Sequence, residues 1–137
     1  MNIKNVRYLS ALNSFGLGYP RDHMVLTATM ALYGIRPNDD LDIIVDGSLW
    51  TKLADNLMLS SVISDTRDPS YISSTHSFEF FNIMNPGNFS FEDCMTNSII
   101  ADDWHFITLD MLMMYKSIMN RPKDVEDIKL IEHYING

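Results

Sequence analysis

Apolar residues recur along this chain at two periods, and the period separates helix from strand. Val6, Leu9, Leu12 and Phe15 fall at near-helical spacing and predict a helix over 3–15, ended by Gly16 and Gly18, with Tyr19-Pro20 as a linker. His23 to Thr27 is a short apolar run, which periodicity alone leaves open between a buried strand and the start of a helix. Leu41 to Val45 reads as a strand, with Leu41 and Ile43 on one face and Asp40 and Asp42 on the other. Asp46 or Ser48 caps a helix running to about 57, whose apolar face is Leu49, Trp50, Leu53 and Leu57. Strands are expected at 59–63 and 76–84, with a polar loop at 64–70 between them. After the turn Asn85-Pro86-Gly87-Asn88, Ser90 opens a short helix, and 96–101 and 104–107 are extended. Thr108 caps a helix over 109–119, and Pro122 suits the first turn of a last helix, carried by Val125, Ile128 and Ile131.

Composition adds boundaries to this pattern. At 137 residues the chain reads as one domain, long enough to bury a sizeable core. Hydrophobic residues at 46% and charged residues at 20% fit an ordinary globule. The net charge of −8 argues against a sequence-independent nucleic-acid binder, which needs a basic face. It leaves room for a local basic pocket if the fold gathers Arg36, Lys116, Arg121 and Lys123. Cys94 is the only cysteine, so no internal disulfide forms, in keeping with a reducing compartment. The N-terminus lacks an apolar run of signal-peptide length, and no stretch approaches the ~20 apolar residues of a membrane span. A cytoplasm is therefore the expected location, a host's cytoplasm if the protein is viral.

Candidate chemistry concentrates where a turn-rich stretch from Gly34 feeds the strand at 41–45. Alternate strand residues lie roughly 6.5–7 Å apart, so Asp40 and Asp42 converge on one side. Two carboxylates at that spacing suit a hard cation such as Mg²⁺, which takes one or two carboxylates plus substrate phosphates. The plainer reading is a polar turn ending at a buried strand, because Asp is a good turn residue. Glu79 is the only acid within the strand at 76–84, flanked by Phe78 and Phe80. A carboxylate in such a run needs a partner, either a metal or Arg36, unless it lies on a solvated sheet face. His23, Trp50 and the four methionines from Met111 to Met119 read as structural.

Two segments resemble the small bacterial and viral members of the nucleotidyltransferase (DNA polymerase β) superfamily. The first is Leu26 to Val45, containing Gly34-Ile35-Arg36 and then Asp40-Leu41-Asp42-Ile43-Ile44-Val45. The second is Phe106 to Ile128, containing Lys116 and then Arg121-Pro122-Lys123-Asp124, followed by Asp127-Ile128. The relatives in view are toxin-like and antibiotic-type nucleotidyltransferases. The resemblance implies an α/β (α+β) fold, a nucleotidyltransferase-like mixed β-sheet flanked by helices with a C-terminal helical pair. Its core would span 22–84 and its helical part 106–135, within a single domain over 1–137. It favours a strand at 23–27, a turn, and a helix over 28–34.

The activity it implies is metal-dependent transfer of a nucleoside monophosphate from a nucleoside triphosphate to an acceptor hydroxyl or phosphate. Asp40, Asp42 and Glu79 would be the catalytic carboxylates and the ligands of Mg²⁺ or Mn²⁺. Lys116 and Arg36 would balance the triphosphate charge. Thr27 and Thr29 would contact phosphate, Thr29 in place of a serine the family carries. Where relatives have a glycine turn this chain has Ala28-Thr29. Asp124 and Asp127 are expected to tie the last two helices together through Lys116, Arg121 or Lys123. The acceptor stays open between a transfer RNA end, a small molecule and a protein. No membrane partner is expected, and a homodimer is compatible with the family. Against the enzyme stands a different class of function, motivated by the missing glycine. This is a catalytically degenerate member acting as a binding module in a toxin–antitoxin or phage–host setting. A glycosyltransferase Asp-x-Asp is a weaker rival, because the chain lacks a doubly wound α/β pattern of the required length.

Overall fold

A computed structural model of the protein describes residues 1–15, 18, 21–64 and 67–137. The expected helix stop at Gly16 and the linker Tyr19-Pro20 lie outside the described residues. The chain is a mixed α+β fold. Its strands are β1 (Met24–Leu26), β2 (Leu41–Val45), β3 (Leu59–Ser64), β4 (Arg67–Ser73), β5 (Phe78–Phe81), β6 (Ile83–Met84), β7 (Phe89–Ser90), β8 (Ser98–Ala101) and β9 (Trp104–Ile107). Its α-helices are α1 (Leu9–Ser14), α2 (Thr29–Leu32), α3 (Gly47–Leu53), α4 (Phe91–Thr96), α5 (Leu109–Met119) and α6 (Pro122–Asn136). Seven strands form one sheet in the order β3-β4-β5-β2-β1-β9-β8, and β6 and β7 form a separate hairpin. β2 therefore lies at the centre, parallel to β5 and antiparallel to β1.

The alternation of strand side chains builds two cores, one on each face. Leu41, Ile43, Val45, Phe78 and Phe80 join Leu9, Leu12, Leu49 and Leu53 on the face covered by α1 and α3. Val25, Ile44 and Ile107 join Cys94, Met111, Leu112 and Ile131 on the face covered by α4, α5 and α6. Asp42 lies between Leu41 and Ile43 in sequence and shares its face with Ile44, on the side of α5 and α6.

Local chemistry sets most element ends. Asp46 accepts the Leu49 N–H and caps α3, and Thr108 accepts the Met111 N–H and caps α5. Ser90 and Asp93 form a reciprocal capping box on α4. Asn120 at φ 51° and Pro122 in the first turn of α6 make the corner between the last two helices.

The expected N-terminal helix is broken. Ile3–Asn5 is a 3-10 turn, and Tyr8, at φ 72°, precedes the short α1. Val6, Leu9 and Leu12 still reach one core, because a turn there keeps them on the same side. The helix expected over 28–34 is a single turn, closed by Gly34 at φ 73°. The expected strand over 76–84 splits into β5 and β6. Residues 67–70, expected as loop, belong to β4. Among the described residues no helix is long and apolar enough to cross a membrane.

Candidate functional site

The centre of the sheet meets the α5–α6 corner in a cleft of about 360 Å³. One wall is β2 and the loop before it, supplying Asp40 and Asp42, and the opposite wall supplies Lys116, Arg121 and Lys123. Arg36 and Thr27 complete the rim. The four cations that the sequence singles out as a conceivable basic pocket thus line one cleft. Asn38 holds the approach to Asp40 in place. Its amide donates to the Asp40 carbonyl at 2.9 Å and to the Arg7 carbonyl at 3.1 Å, and its Oδ1 accepts the Arg7 N–H at 2.9 Å.

The Asp42 carboxyl is pushed up from 3.8 to about 7, first by burial and then by the charges of Asp40 and Glu79. Arg67 and Lys123 pull it the other way. Asp42 also lines a smaller inner chamber of about 100 Å³, together with Thr27, Asp68, Asn85 and Tyr115. Tyr115 lines both the cleft and the chamber. Its hydroxyl donates to the Asn85 carbonyl at 2.8 Å, and burial, then the nearby Asp42 charge, pushes its pKa to about 12. It therefore stays protonated. The Thr27 hydroxyl donates to the Asp42 carbonyl at 3.3 Å, at the mouth of both spaces.

The cationic wall is braced by two acids, of which Asp127 itself lines the cleft. Asp127 accepts from Lys116 at 2.9 Å and from Arg36 at 2.8 Å. Asp124 accepts from Arg121 Nε at 2.6 Å, and Lys116 lies 3.8 Å from it. Burial alone would raise the Asp124 carboxyl, but the Arg121 hydrogen bonds hold it below its ordinary range. Both acids are buried, and they tie the last two helices together as expected, with Arg36 joined to the same anchor. Lys123 faces the cleft from the first turn of α6.

Two expected roles are corrected by the geometry. Glu79 pairs in register with Asp42 on the neighbouring strand, so the two share a sheet face. Yet its carboxylate is engaged by the Arg67 guanidinium and the Ser70 hydroxyl, both from β4, and it does not line the cleft. Arg67, rather than Arg36, is the cation that answers its burial. Thr29 is fully buried and gives its hydroxyl to the Ile107 carbonyl at 2.6 Å, so it offers nothing to a phosphate. Arg67, Asp68 and Tyr115 had not been singled out. Tyr115 is legible only as the neighbour of Lys116, and the other two are hidden in a stretch that reads as loop.

Among the described residues no group of three or more His, Cys, Asp or Glu gathers closely enough to hold a metal alone. Asp40 and Asp42 nevertheless suit Mg²⁺ or Mn²⁺. They are hard oxygen donors, and after burial it is the Asp40 charge that raises the Asp42 pKa most. Mg²⁺ commonly needs no more protein ligands than these when phosphate oxygens supply the rest. Comparison with protein-family models, with curated proteins and with solved structures finds no match.

Proposed function

We propose that this protein transfers a nucleoside monophosphate from a nucleoside triphosphate to an acceptor hydroxyl or phosphate, with Mg²⁺ or Mn²⁺. One observation carries the reading: a carboxylate pair and four cations line a single cleft. That is the charge pattern a metal–triphosphate complex requires. Asp40 and Asp42 would hold the ion. When bound, it would polarise the α-phosphate and ease ionisation of the attacking hydroxyl. Lys116, Arg36 and Lys123 balance the triphosphate and the departing pyrophosphate. Asp127, which itself lines the cleft, orients Lys116 and Arg36, which fixes both cations before the ligand arrives. The resemblance of the two sequence segments to small nucleotidyltransferases supports the same reading.

A second reading has observations of its own. α2 is a single turn, Ala28 stands at its start, and the Thr29 hydroxyl is committed elsewhere. Glu79 is neutralised by Arg67. A protein that has given up transfer but kept a binding cleft would show these features. It would act as an interaction module of the toxin–antitoxin or phage–host kind.

Thermal unfolding with each of the four ribonucleoside triphosphates, with and without Mg²⁺, separates the two. A ligand at ~100 times its Kd stabilises the fold by about 2.7 kcal/mol. In a domain of this size the midpoint then moves by several degrees. A metal-dependent shift that Asp42→Asn abolishes is the expected outcome. No shift with any nucleotide, in a folded sample, would leave the interaction module.

A further inference from the structure

The loop 33–40 lines the cleft from Arg36 to Asp40 and carries no helix or strand, since α2 stops at Leu32 and β2 starts at Leu41. Its two ends are tied instead to the first residues of the chain. The Asn2 N–H donates to the Leu32 carbonyl at 2.8 Å. The Arg7 N–H donates to Asn38 Oδ1 at 2.9 Å, and Asn38 Nδ2 returns a bond to the Arg7 carbonyl at 3.1 Å. Between these ties Val6 is buried in the core, and Ile3 packs against the same cluster. Residues 2–8 therefore run along the loop as a strap fastened at both ends. Tyr8 follows the second tie at φ 72°, a left-handed conformation unfavourable for tyrosine, so the chain turns away there.

The Asn38 side chain joins this strap to the site. It donates as well to the Asp40 carbonyl, at 2.9 Å. One amide thus uses its oxygen and both N–H hydrogens, and it pairs with the Arg7 backbone as a neighbouring peptide would. A hydroxyl has one hydrogen to give and a carboxylate none, so neither could replace it. We propose that Asn38 is a positioning residue, and that through it residues 2–8 set the metal affinity of the pair Asp40 and Asp42. The proposal rests on the reading of the cleft as a metal–triphosphate site. Asp42 is held by β2, which is paired to β1 on one side and β5 on the other. Asp40 lies just outside that strand and is exposed. Two carboxylates grip one ion well only when both are held in place, and ordering a loose one on binding costs affinity. The clasp meets that cost during folding, from residues that lie outside the cleft.

The test measures binding of Mn²⁺ alone to the full chain, by electron paramagnetic resonance of the free ion. Asn38→Ala should weaken binding about tenfold, the worth of one to two hydrogen bonds. Arg7→Pro removes the N–H that Asn38 accepts and should weaken it about fivefold, although Arg7 does not line the cleft. Arg7→Gln keeps that N–H and should stay within about twofold, the reach of an exposed charge. The charges that act most on Asp42, those of Asp40, Glu79, Arg67 and Lys123, are untouched in all three variants. Each should still melt cooperatively in a chelator, so weaker binding is not loss of fold. Equal Mn²⁺ affinity in Asn38→Ala and parent would overturn the proposal and spare the cleft. A fall in Arg7→Gln as large as in Arg7→Pro would overturn it too, since the charge and not the backbone would be acting. Should Arg7→Pro not fold, hydrogen exchange decides the coupling. In Asn38→Ala the peptides covering 2–8 and 33–40 should both exchange faster, and unchanged exchange at 33–40 would overturn the strap. A parent that binds no Mn²⁺ sinks the metal reading of the cleft itself, and this proposal with it.

Discussion

The two faces of β2 are built from adjacent residues and do opposite things. Leu41, Ile43 and Val45 are wholly buried in one core, where each side chain lowers the free energy of folding. Asp42, one residue away, points to the other face and is held in a state that folding disfavours. Ile44, two residues further on, returns that second face to apolar packing. The strand thus uses its continuous core on one side to keep a destabilised carboxylate fixed on the other. Pre-arranged charge of this kind is characteristic of functional sites.

Changes on the apolar face should cost the most and leave ligand binding alone. Phe80→Ala, at a fully buried position, is predicted to lose about 3–5 kcal/mol in urea unfolding. The nucleotide-induced shift should survive in whatever fraction folds. A loss of both would mean that the two faces are not separable. Next comes the acid that braces the cationic wall. Asp127→Ala strips a buried carboxylate from Lys116 and Arg36 and is predicted to cost about 3 kcal/mol, Arg36 being partly solvated. Nucleotide affinity should fall with it, because both cations lose their orientation. Unchanged affinity would argue that Asp127 is only a structural tie.

Asp42→Asn should do the opposite and stabilise. Below about pH 4 both folded and unfolded chains hold the Asp42 proton. Between 3.8 and about 7 the unfolded chain releases it and the folded chain retains it, so this group's contribution to stability falls as pH rises. Above that window the loss is constant. Three units correspond to a ceiling of about 4 kcal/mol, of which relaxation and water leave about 2 kcal/mol at pH 8. Melts of variant and parent in a chelator should coincide near pH 4 and diverge toward pH 8. A gap independent of pH would remove the electrostatic account of this face. The smallest effect is a control remote from the site: Thr108→Ala removes the α5 cap and should cost about 1 kcal/mol at any pH in that range.

The parts legible in the sequence were those with a local cause. Period-2 alternation placed β2, and Thr108 and the run behind it gave α5 at its observed limits. Asp46, Ser90 and Pro122 marked helix starts through chemistry confined to three or four residues. The partnership of Glu79 with Arg67 was not legible, because it depends on which strand lies beside β5. The first half of β4 escaped notice because it carries Arg67, Asp68 and Ser70, which serve a charge and a cavity and so leave no apolar period. Thr29 was misassigned for a similar reason. The carbonyl that accepts its hydroxyl lies on β9, 78 residues away in the chain. The Asp pair and the basic residues were legible as types, and only the tertiary fold could say that they share one space.

Asp127 sits between Arg36 and Lys116 as a counterion built into the protein. On the nucleotidyl-transfer reading, an arriving triphosphate would compete with an anion already in place, and few salt ions would need to leave. Attachment at this wall should vary little with ionic strength, unlike polyanion binding driven by counterion release. A chain this acidic can keep its cations paired until a ligand with more charge, and the right shape, takes them over.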